Sequence, residues 1–157
     1  MREKILKRVI PLLLAILLLG GCGAKESPSE VPEIPSGNEE ENKEEEKQMK
    51  MYIGDREVPV IWEKNASVEE LVNLCPLSID MSMYGGFEQV GSIGKSIARD
   101  DRQTTTKAGD IVLYSGSQIV VFYGSNSWSY TRLGNVDLSG DEMTELLGSG
   151  DVVLRLE

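Results

Sequence analysis

The stretch 104–136, TTTKAGDIVLYSGSQIVVFYGSNSWSYTRLGNV, has the pattern of three consecutive antiparallel strands. Val, Ile, Tyr, Phe and Trp are frequent in the segments 110–114, 118–123 and 128–136, and Gly, Ser and Asn occupy the turns between them. The run 119–123, IVVFY, has no polar alternation, so we expect both faces of this strand to be covered. The sequence therefore predicts a β-meander whose middle strand lies inside a well-wrapped sheet.

The balance of charges and residue types excludes several classes of function. The chain has 16 Lys and Arg against 26 Asp and Glu, a formal net charge of −10, and no His. An acidic protein offers no basic surface to phosphates, so we predict no nucleic-acid partner. The lack of His removes imidazole-dependent triads and every His-containing zinc site. We predict no cofactor and no metal, because the carboxylate groups at 100–101 and 137–142 lack the spacing of a known calcium loop.

The first 22 residues have the pattern of a bacterial lipoprotein signal. Four Lys and Arg precede an apolar run over Val9–Leu19, which as a helix would be roughly 16 Å long, about half of a hydrocarbon core. The sequence Leu19-Gly20-Gly21-Cys22 follows and resembles the lipobox of bacterial lipoproteins. We therefore predict a signal peptide at 1–21 and lipidation of Cys22 with acyl chains such as palmitate. An ordinary secretory signal followed by a chance Cys is the alternative.

Residues 22–48 separate this signal from the folded part of the chain. Glu, Lys, Ser, Pro and Gly dominate the stretch, and apolar residues are nearly absent. Such a segment cannot bury enough surface to offset its ordering entropy, so we expect a disordered acidic tether. The folded domain is then predicted at 49–157, anchored to the cell membrane through Cys22 and facing the extracytoplasmic side.

Two short helices are predicted in this domain. Ser67 with Glu70, and Ser139 with Glu142, have the spacing of a capping box, so a helix is expected to begin at each Ser. The proline after Cys75 would end the first helix. We interpret Cys75 as a buried structural thiol rather than a nucleophile, because no cationic cluster in the sequence would lower its pKa.

Four more strands and one long loop complete the predicted domain. Pro59 has no N–H, which should place its strand at a sheet edge or in a bulge. Residues 87–108 contain few apolar residues and several turn formers, and we predict a long loop there. The additional strands are predicted at Met49–Ile53, Val58–Trp62, Leu77–Met83 and Val152–Leu156. Many short antiparallel strands with two isolated helices are typical of a β-barrel whose open ends are covered by the helices.

Four motifs connect this domain with a known family. They are CPLSIDMSMYGGFEQVG at 75–91, KAGDIVLYSGSQIVVFYG at 107–124, WSYTRLGNVD at 128–137 and LLGSG at 146–150. In order and spacing they resemble the bacterial cyclophilin-like domain family. The resemblance implies a mainly β fold, a closed antiparallel cyclophilin-like barrel with two short capping helices. It does not extend to the Phe-His-Arg motif of active cyclophilins, since the chain has no His.

A recognition cleft is expected where the predicted loop meets the third strand of the meander. Aromatic faces bury area and amides pair with a peptide backbone, so residues of these types are the candidates. The alternative is that they are scattered loop residues and that the Trp fills the core. The predicted cleft residues are Phe87, Gln89, Arg99, Gln103, Trp128 and Arg132.

Two functions remain open at this point. The first is a membrane-anchored cyclophilin-like binding module for a peptide segment or a small ligand. The alternative is a divergent peptidyl-prolyl isomerase that assists protein folding outside the membrane, which leaves the assignment as an enzyme uncertain. Only the isomerase predicts that Arg99, or its rival Arg102, points into the cleft beside an apolar proline pocket, because a donor to the proline nitrogen would be needed there.

Overall fold

The computed structural model describes residues 48–157, and the predicted signal peptide, Cys22 and nearly all of the predicted tether lie outside the described residues. Within 48–157, neither helix has the length and apolar character that crossing a membrane requires. The elements in chain order are β1 Met51–Ile53, β2 Arg56–Val58, β3 Val60–Trp62, α1 Ala66–Val72, β4 Leu77–Tyr84, β5 Glu88–Ser92, β6 Arg102–Thr105, β7 Asp110–Tyr114, β8 Gln118–Phe122, β9 Ser127–Val136, α2 Gly140–Leu147 and β10 Val152–Leu156.

The strands form one antiparallel sheet that is nearly closed into a barrel. Their order is β2-β1-β10-β4-β5-β8-β7-β9-β3, and β6 pairs with β9 off this path. The two ends of the order, β2 and β3, are consecutive in the chain and are separated by Pro59 alone. Because Pro59 has no N–H, it interrupts the ladder, and the strand predicted at 58–62 is divided there between two partners. The predicted edge position of Pro59 is thereby confirmed.

The meander β7-β8-β9 follows the prediction closely. β8 pairs with β5 on one side and with β7 on the other. Ile119 and Val121 belong to the main core inside the barrel, and Val120 and Phe122 belong to a second apolar cluster on the opposite face. The expectation that both faces of this apolar strand are covered is therefore confirmed. We call the face that carries Val120 and Phe122 the outer face.

Both helices contribute to the main core. Leu71 of α1 and Met143 and Leu147 of α2 are fully buried in the same cluster as the inward-facing strand residues. Cys75, after α1, is half-buried against this cluster, and its thiol donates a hydrogen bond of 3.6 Å to the Leu71 carbonyl oxygen. A closed sheet with a continuous interior and two short helices is the predicted fold class, which is confirmed.

The prediction of one long loop over residues 87–108 is wrong. The segment contains β5, which pairs with β4 and β8, and β6, which pairs with β9. These strands show little apolar alternation, because Glu88 and Gln89 are buried polar residues and β6 is largely exposed. Pairing with strands elsewhere in the sequence outweighs the weak local preference for β structure in this segment.

The predicted capping box of α1 is also wrong. Asn65 is the N-cap, and its Oδ1 accepts a hydrogen bond of 3.0 Å from the Val68 N–H. Ser67 is buried within the helix, and its Oγ donates a hydrogen bond of 2.7 Å to the Ala98 carbonyl oxygen. Glu70 accepts a hydrogen bond of 3.2 Å from the Ala98 N–H. Asn is as good an N-cap as Ser, and Asn65 takes this role two residues before the predicted cap. The side chains of Ser67 and Glu70 bind the Ala98 backbone instead.

The capping box predicted for α2 is confirmed. The Glu142 N–H donates a hydrogen bond of 3.3 Å to Ser139 Oγ, and Glu142 Oε2 accepts one of 2.9 Å from the Ser139 N–H. The hydrogen bond from the Ser139 backbone is the main cause that lowers the pKa of Glu142. Asp141 adds a second negative charge to the first turn, where it suits the helix dipole.

Candidate ligand-binding site

The predicted cleft residues divide among different parts of the fold. Arg99, Gln103 and Arg132 line a cavity of about 390 Å³ between the start of α1, the segment before β6, and β9. We call it the polar cavity. Trp128 lines a different cavity, on the outer face. Phe87 lies in the turn before β5, where its carbonyl oxygen accepts hydrogen bonds from two successive backbone N–H groups at 123 and 124.

Gln89 faces the main core rather than a cavity. It is fully buried, and its Nε2 donates hydrogen bonds of 2.8 Å to the Leu147 carbonyl oxygen and 2.7 Å to the Gly150 carbonyl oxygen. These two acceptors lie at the end of α2 and in the turn that follows. Gln89 therefore fixes α2 to the sheet. Its Oε1 is buried without a hydrogen-bond partner among the described residues.

The arginines around the polar cavity are held by carboxylates of the same domain. The Arg132 guanidinium lies 3.1 Å from Asp110 Oδ1 and 3.5 Å from Glu63 Oε1. Hydrogen bonding to the buried Asp110 is the main cause that raises the pKa of Arg132. Arg99 lies 3.5 Å from an oxygen of Asp101. These cations are therefore already neutralised within the chain.

The second cavity has a volume of about 300 Å³, and four of the nine residues that line it are aromatic. We call it the aromatic cavity. Trp128 and Tyr84 are 57% and 67% exposed, so their rings are accessible to a ligand from solvent. The lining residues are Tyr84, Glu88, Val90, Tyr114, Gln118, Val120, Asn126, Trp128 and Tyr130.

Strand register brings these residues to one face. Across β5 and β8, Val90 lies opposite Val120, and across β7 and β8, Tyr114 lies opposite Gln118. Because side chains alternate along a strand, every second residue of β5, β7 and β8 points to the outer face. Trp128 belongs to β9, which pairs with β7. Together with β4, which carries Tyr84, five neighbouring strands thus supply one continuous surface.

Aromatic contacts fix the base of the cavity. The buried Tyr130 ring lies edge-on to Tyr114, with centroids 6.1 Å apart, and edge-on to Phe122, with centroids 5.8 Å apart. Such edge-to-face pairs are favourable beyond the area they bury. The Asn126 side-chain amide donates a hydrogen bond of 3.1 Å to the Tyr130 hydroxyl. Tyr130 is consequently held in a defined orientation.

Glu88 is the charged residue of the aromatic cavity. It is 6% exposed, and its side chain makes no hydrogen bond or ion pair within residues 48–157. Burial raises the pKa of this carboxyl group, because the charged form loses hydration. Burial also raises the pKa of Tyr130, and the negative charge of Glu88 adds to that rise. A buried carboxyl group without a polar partner is costly.

Sequence reasoning missed Glu88, Tyr84, Tyr114 and Tyr130 as members of a site. The signal that could have found them is strand alternation through 88–92 combined with the meander. Once Gln89 is assigned to the core, alternation places Glu88 on the outer face beside Phe122, its partner in the register. The alternation rule applies only to strands, and residues 87–108 were interpreted as a loop, so the rule was not used there.

A third cavity, of about 710 Å³, lies between β3 and α1. It is lined in part by Ile61 and Trp62, and the Trp62 indole N–H donates a hydrogen bond of 2.7 Å to the Met49 carbonyl oxygen. Gln48, where the described part of the chain begins, also borders it. No group of three or more His, Cys, Asp and Glu side chains arranged to hold a metal ion occurs in residues 48–157.

The barrel and its outer-face cavity define a cyclophilin-like binding fold. The family model described as "Cyclophilin-like family" matches residues 51–157, and the chain therefore belongs to this family. The resemblance inferred from the sequence motifs is confirmed over the folded domain. A search of curated proteins gave no match.

Proposed function

We propose that this protein is a membrane-anchored, extracytoplasmic binding module that holds a peptide segment or a small ligand in its aromatic cavity. The observation that supports this proposal most is Glu88 Oε2, a buried carboxyl oxygen for which the described residues provide no hydrogen-bond partner. Unsatisfied buried polar groups are rare in folded proteins and often indicate a functional role. A ligand that brings a polar group to Glu88 would remove this cost.

The aromatic surroundings of Glu88 support binding rather than a purely structural role. The exposed rings of Trp128 and Tyr84 line the same cavity, and a ligand that covers them would bury aromatic surface, which is favourable. The rigid floor formed by Tyr114 and Tyr130 would require little reorganisation when a ligand enters. The polar cavity is a weaker candidate, because Arg99 and Arg132 are already paired with carboxylates.

The proposed membrane anchor rests on the sequence of residues 1–22. The positively charged start, the short apolar run and the Gly-Gly-Cys sequence are the features of a lipoprotein signal. Two acyl chains on Cys22 would be enough for stable anchoring. Cell fractionation tests this: we expect Cys22→Ala to move the protein out of the membrane fraction, and Cys75→Ala to leave it there. Retention of Cys22→Ala in the membrane fraction would contradict the anchor.

The isomerase alternative requires an arginine directed at an apolar proline pocket. Arg102 Nη2 lies 2.7 Å from Asp100 Oδ2, and its Nε donates a further hydrogen bond of 3.0 Å to the same oxygen. Arg99 pairs with Asp101. Both arginines border the polar cavity, whose other lining groups include Glu63 and Asn65. This arrangement favours the binding module over the isomerase.

Ligand-induced thermal stabilisation of the full chain tests the proposed binding site. The probes are acetylated tripeptides, amines, sugars and nucleosides, and a ligand that binds only the folded state raises Tm, by more at higher ligand concentration. We expect at least one probe class to raise Tm in the wild type and in Ile61→Ala and Arg99→Ala, which alter the other two cavities. The same probe should fail with Trp128→Ala. An unchanged response in Trp128→Ala would place the ligand elsewhere.

A further inference from the structure

We propose that the aromatic cavity selects an organic cation, an alkylammonium group that lies against the aromatic rings and pairs with the Glu88 carboxylate. This inference rests on the proposed function and specifies the class of ligand. The cation could belong to a lysine side chain of a peptide or to a free amine, since both present the same chemistry to the cavity. Two observations on the lining residues and one comparison with another part of the domain support the choice of a cation.

The first observation is the number of aromatic rings. Tyr84, Tyr114, Trp128 and Tyr130 all line this one cavity of about 300 Å³. The face of an aromatic ring carries negative electrostatic potential and attracts a cation, most strongly for Trp. Several rings around one cavity are the arrangement by which proteins hold alkylated ammonium groups. An apolar ligand would also bury area here, so the rings alone leave the charge of the ligand open.

The second observation concerns charge. Among the residues of 48–157 that line the cavity, Glu88 is the one with a formal charge, and none of them is Lys or Arg. A cation therefore meets a negative partner without displacing a competing cation. An anionic ligand would be repelled by Glu88, and a neutral apolar ligand would leave the carboxyl group without compensation. Charge thus separates an organic cation from the other ligands that fit an aromatic cavity.

The third observation is that another part of the domain shows the same kind of contact. The Arg155 guanidinium carbon lies 5.0 Å from the centroid of the Tyr52 ring, a cation–π pair on β10 and β1. That pair carries its own cation, whereas the four rings of the aromatic cavity have no Lys or Arg among their lining neighbours. A ligand would supply the missing positive charge.

Isothermal titration calorimetry on the full chain tests the inference with two pairs of probes. Choline is compared with 3,3-dimethylbutan-1-ol, in which carbon replaces the charged nitrogen. Nα-acetyl-lysine methylamide, whose side-chain ammonium group is free, is compared with Nα-acetyl-norleucine methylamide, which lacks the charge. We expect the cation of at least one pair to bind about tenfold more tightly than its neutral counterpart. The pair that shows the preference identifies the source, a free amine or a lysine side chain.

Variants separate the role of Glu88 from effects on folding. Glu88→Gln should remove the preference for the cation, whereas Glu145→Gln, an exposed position on α2, should keep it. Tyr84→Ala changes an exposed ring and should weaken cation binding several-fold, while Ile61→Ala should not. If Glu88→Gln does not fold, the comparison of cation affinity between Tyr84→Ala and Ile61→Ala tests the inference instead.

Two results would overturn the inference. Equal affinity for the charged and neutral members of both pairs would show that the cavity does not select charge, and the proposed binding function would still stand. Absence of binding for all four probes would also reject an organic cation. In that case thermal stabilisation by another probe class that depends on Trp128 would still support the proposed function, and no such stabilisation would reject both.

Discussion

Glu88 and Gln89 are adjacent in β5, and both are buried, but they lie on opposite faces of the sheet. Gln89 donates hydrogen bonds to the Leu147 and Gly150 carbonyl oxygens on the side of the main core. Glu88 lines the aromatic cavity without a side-chain hydrogen bond among the described residues. Gln89 therefore fixes α2 to the sheet, whereas Glu88 Oε2 is buried without a hydrogen-bond partner among the described residues.

The stabilising role of Gln89 can be tested by Gln89→Met, which keeps the length of the side chain and removes its hydrogen bonds. Two buried carbonyl oxygens, of Leu147 and Gly150, would lose their donor. We expect the free energy of unfolding to fall by about 2–3 kcal/mol. Urea unfolding measures this change, and Gln103→Met on the exposed strand β6 is the control, expected to change stability by less than about 0.5 kcal/mol. Equal stability of the two variants would contradict the assignment.

The raised pKa of Glu88 predicts a pH-dependent effect of Glu88→Gln. The folded-state pKa of Glu88 lies above the unfolded value. At pH values between these two pKa values, the folded state therefore retains a proton that the unfolded state has released. The stability contributed by this group is therefore fully present below the unfolded pKa and is lost as pH rises through the folded pKa. Glu88→Gln does not titrate, so its stability relative to the wild type should increase from acid toward neutral pH.

Urea unfolding at a series of pH values between about pH 4 and about pH 8 measures this dependence. The other titratable residues that line the cavity are Tyr84, Tyr114 and Tyr130, and burial raises the pKa of Tyr130. Glu145→Gln controls for the general loss of one negative charge. A constant difference between Glu88→Gln and the wild type over this range would contradict the raised pKa.

Close packing at Gly91 predicts a cost for Gly91→Ala. A Cβ atom at this position would collide with the Met81 sulfur and would lie 2.5 Å from Ile79 Cγ2 and 2.8 Å from the Asp80 carbonyl oxygen. We expect a loss of about 1–3 kcal/mol in the free energy of unfolding. Gly140→Ala is the control, since the nearest atom to its Cβ would be 3.7 Å away. It should be neutral or stabilising, because Ala favours the helix.

Ser67→Ala tests the connection between α1 and the segment before β6. The variant removes the donor to the Ala98 carbonyl oxygen, and we expect it to lower the free energy of unfolding by about 1–2 kcal/mol. Ser96→Ala, at an exposed position in the same segment, should have little effect. An equally small effect of Ser67→Ala and Ser96→Ala would contradict this role of Ser67.

Elements defined by local pattern could be predicted from the sequence. Apolar strands bounded by turn residues identified β7, β8, β9 and β10, and the spacing of Ser139 and Glu142 identified the start of α2. In each case the information lies within about ten residues of the chain, so neighbouring residues suffice.

Elements defined by distant partners could not be predicted. β5 and β6 depend on ladders with β8 and β9, and the role of Ser67 depends on Ala98, 31 residues away. The candidate site could not be predicted for the same reason, because the face on which Glu88 lies is known only after β5 is recognised as a strand. Trp128 was identified from its residue type, but its partners in the cavity were not.

The central claim is that the aromatic cavity is the ligand site, and the two tryptophans of the chain provide a direct measurement. Trp128 lines the aromatic cavity, and Trp62 lines the cavity between β3 and α1. In nitrogen-labelled full chain, each indole N–H gives its own NMR signal, and Trp128→Phe assigns the two. On titration with choline and then with acetylated tripeptides, we expect a saturable shift of the Trp128 signal with the Trp62 signal unchanged. A shift of Trp62 alone, or of neither signal, would contradict the claim.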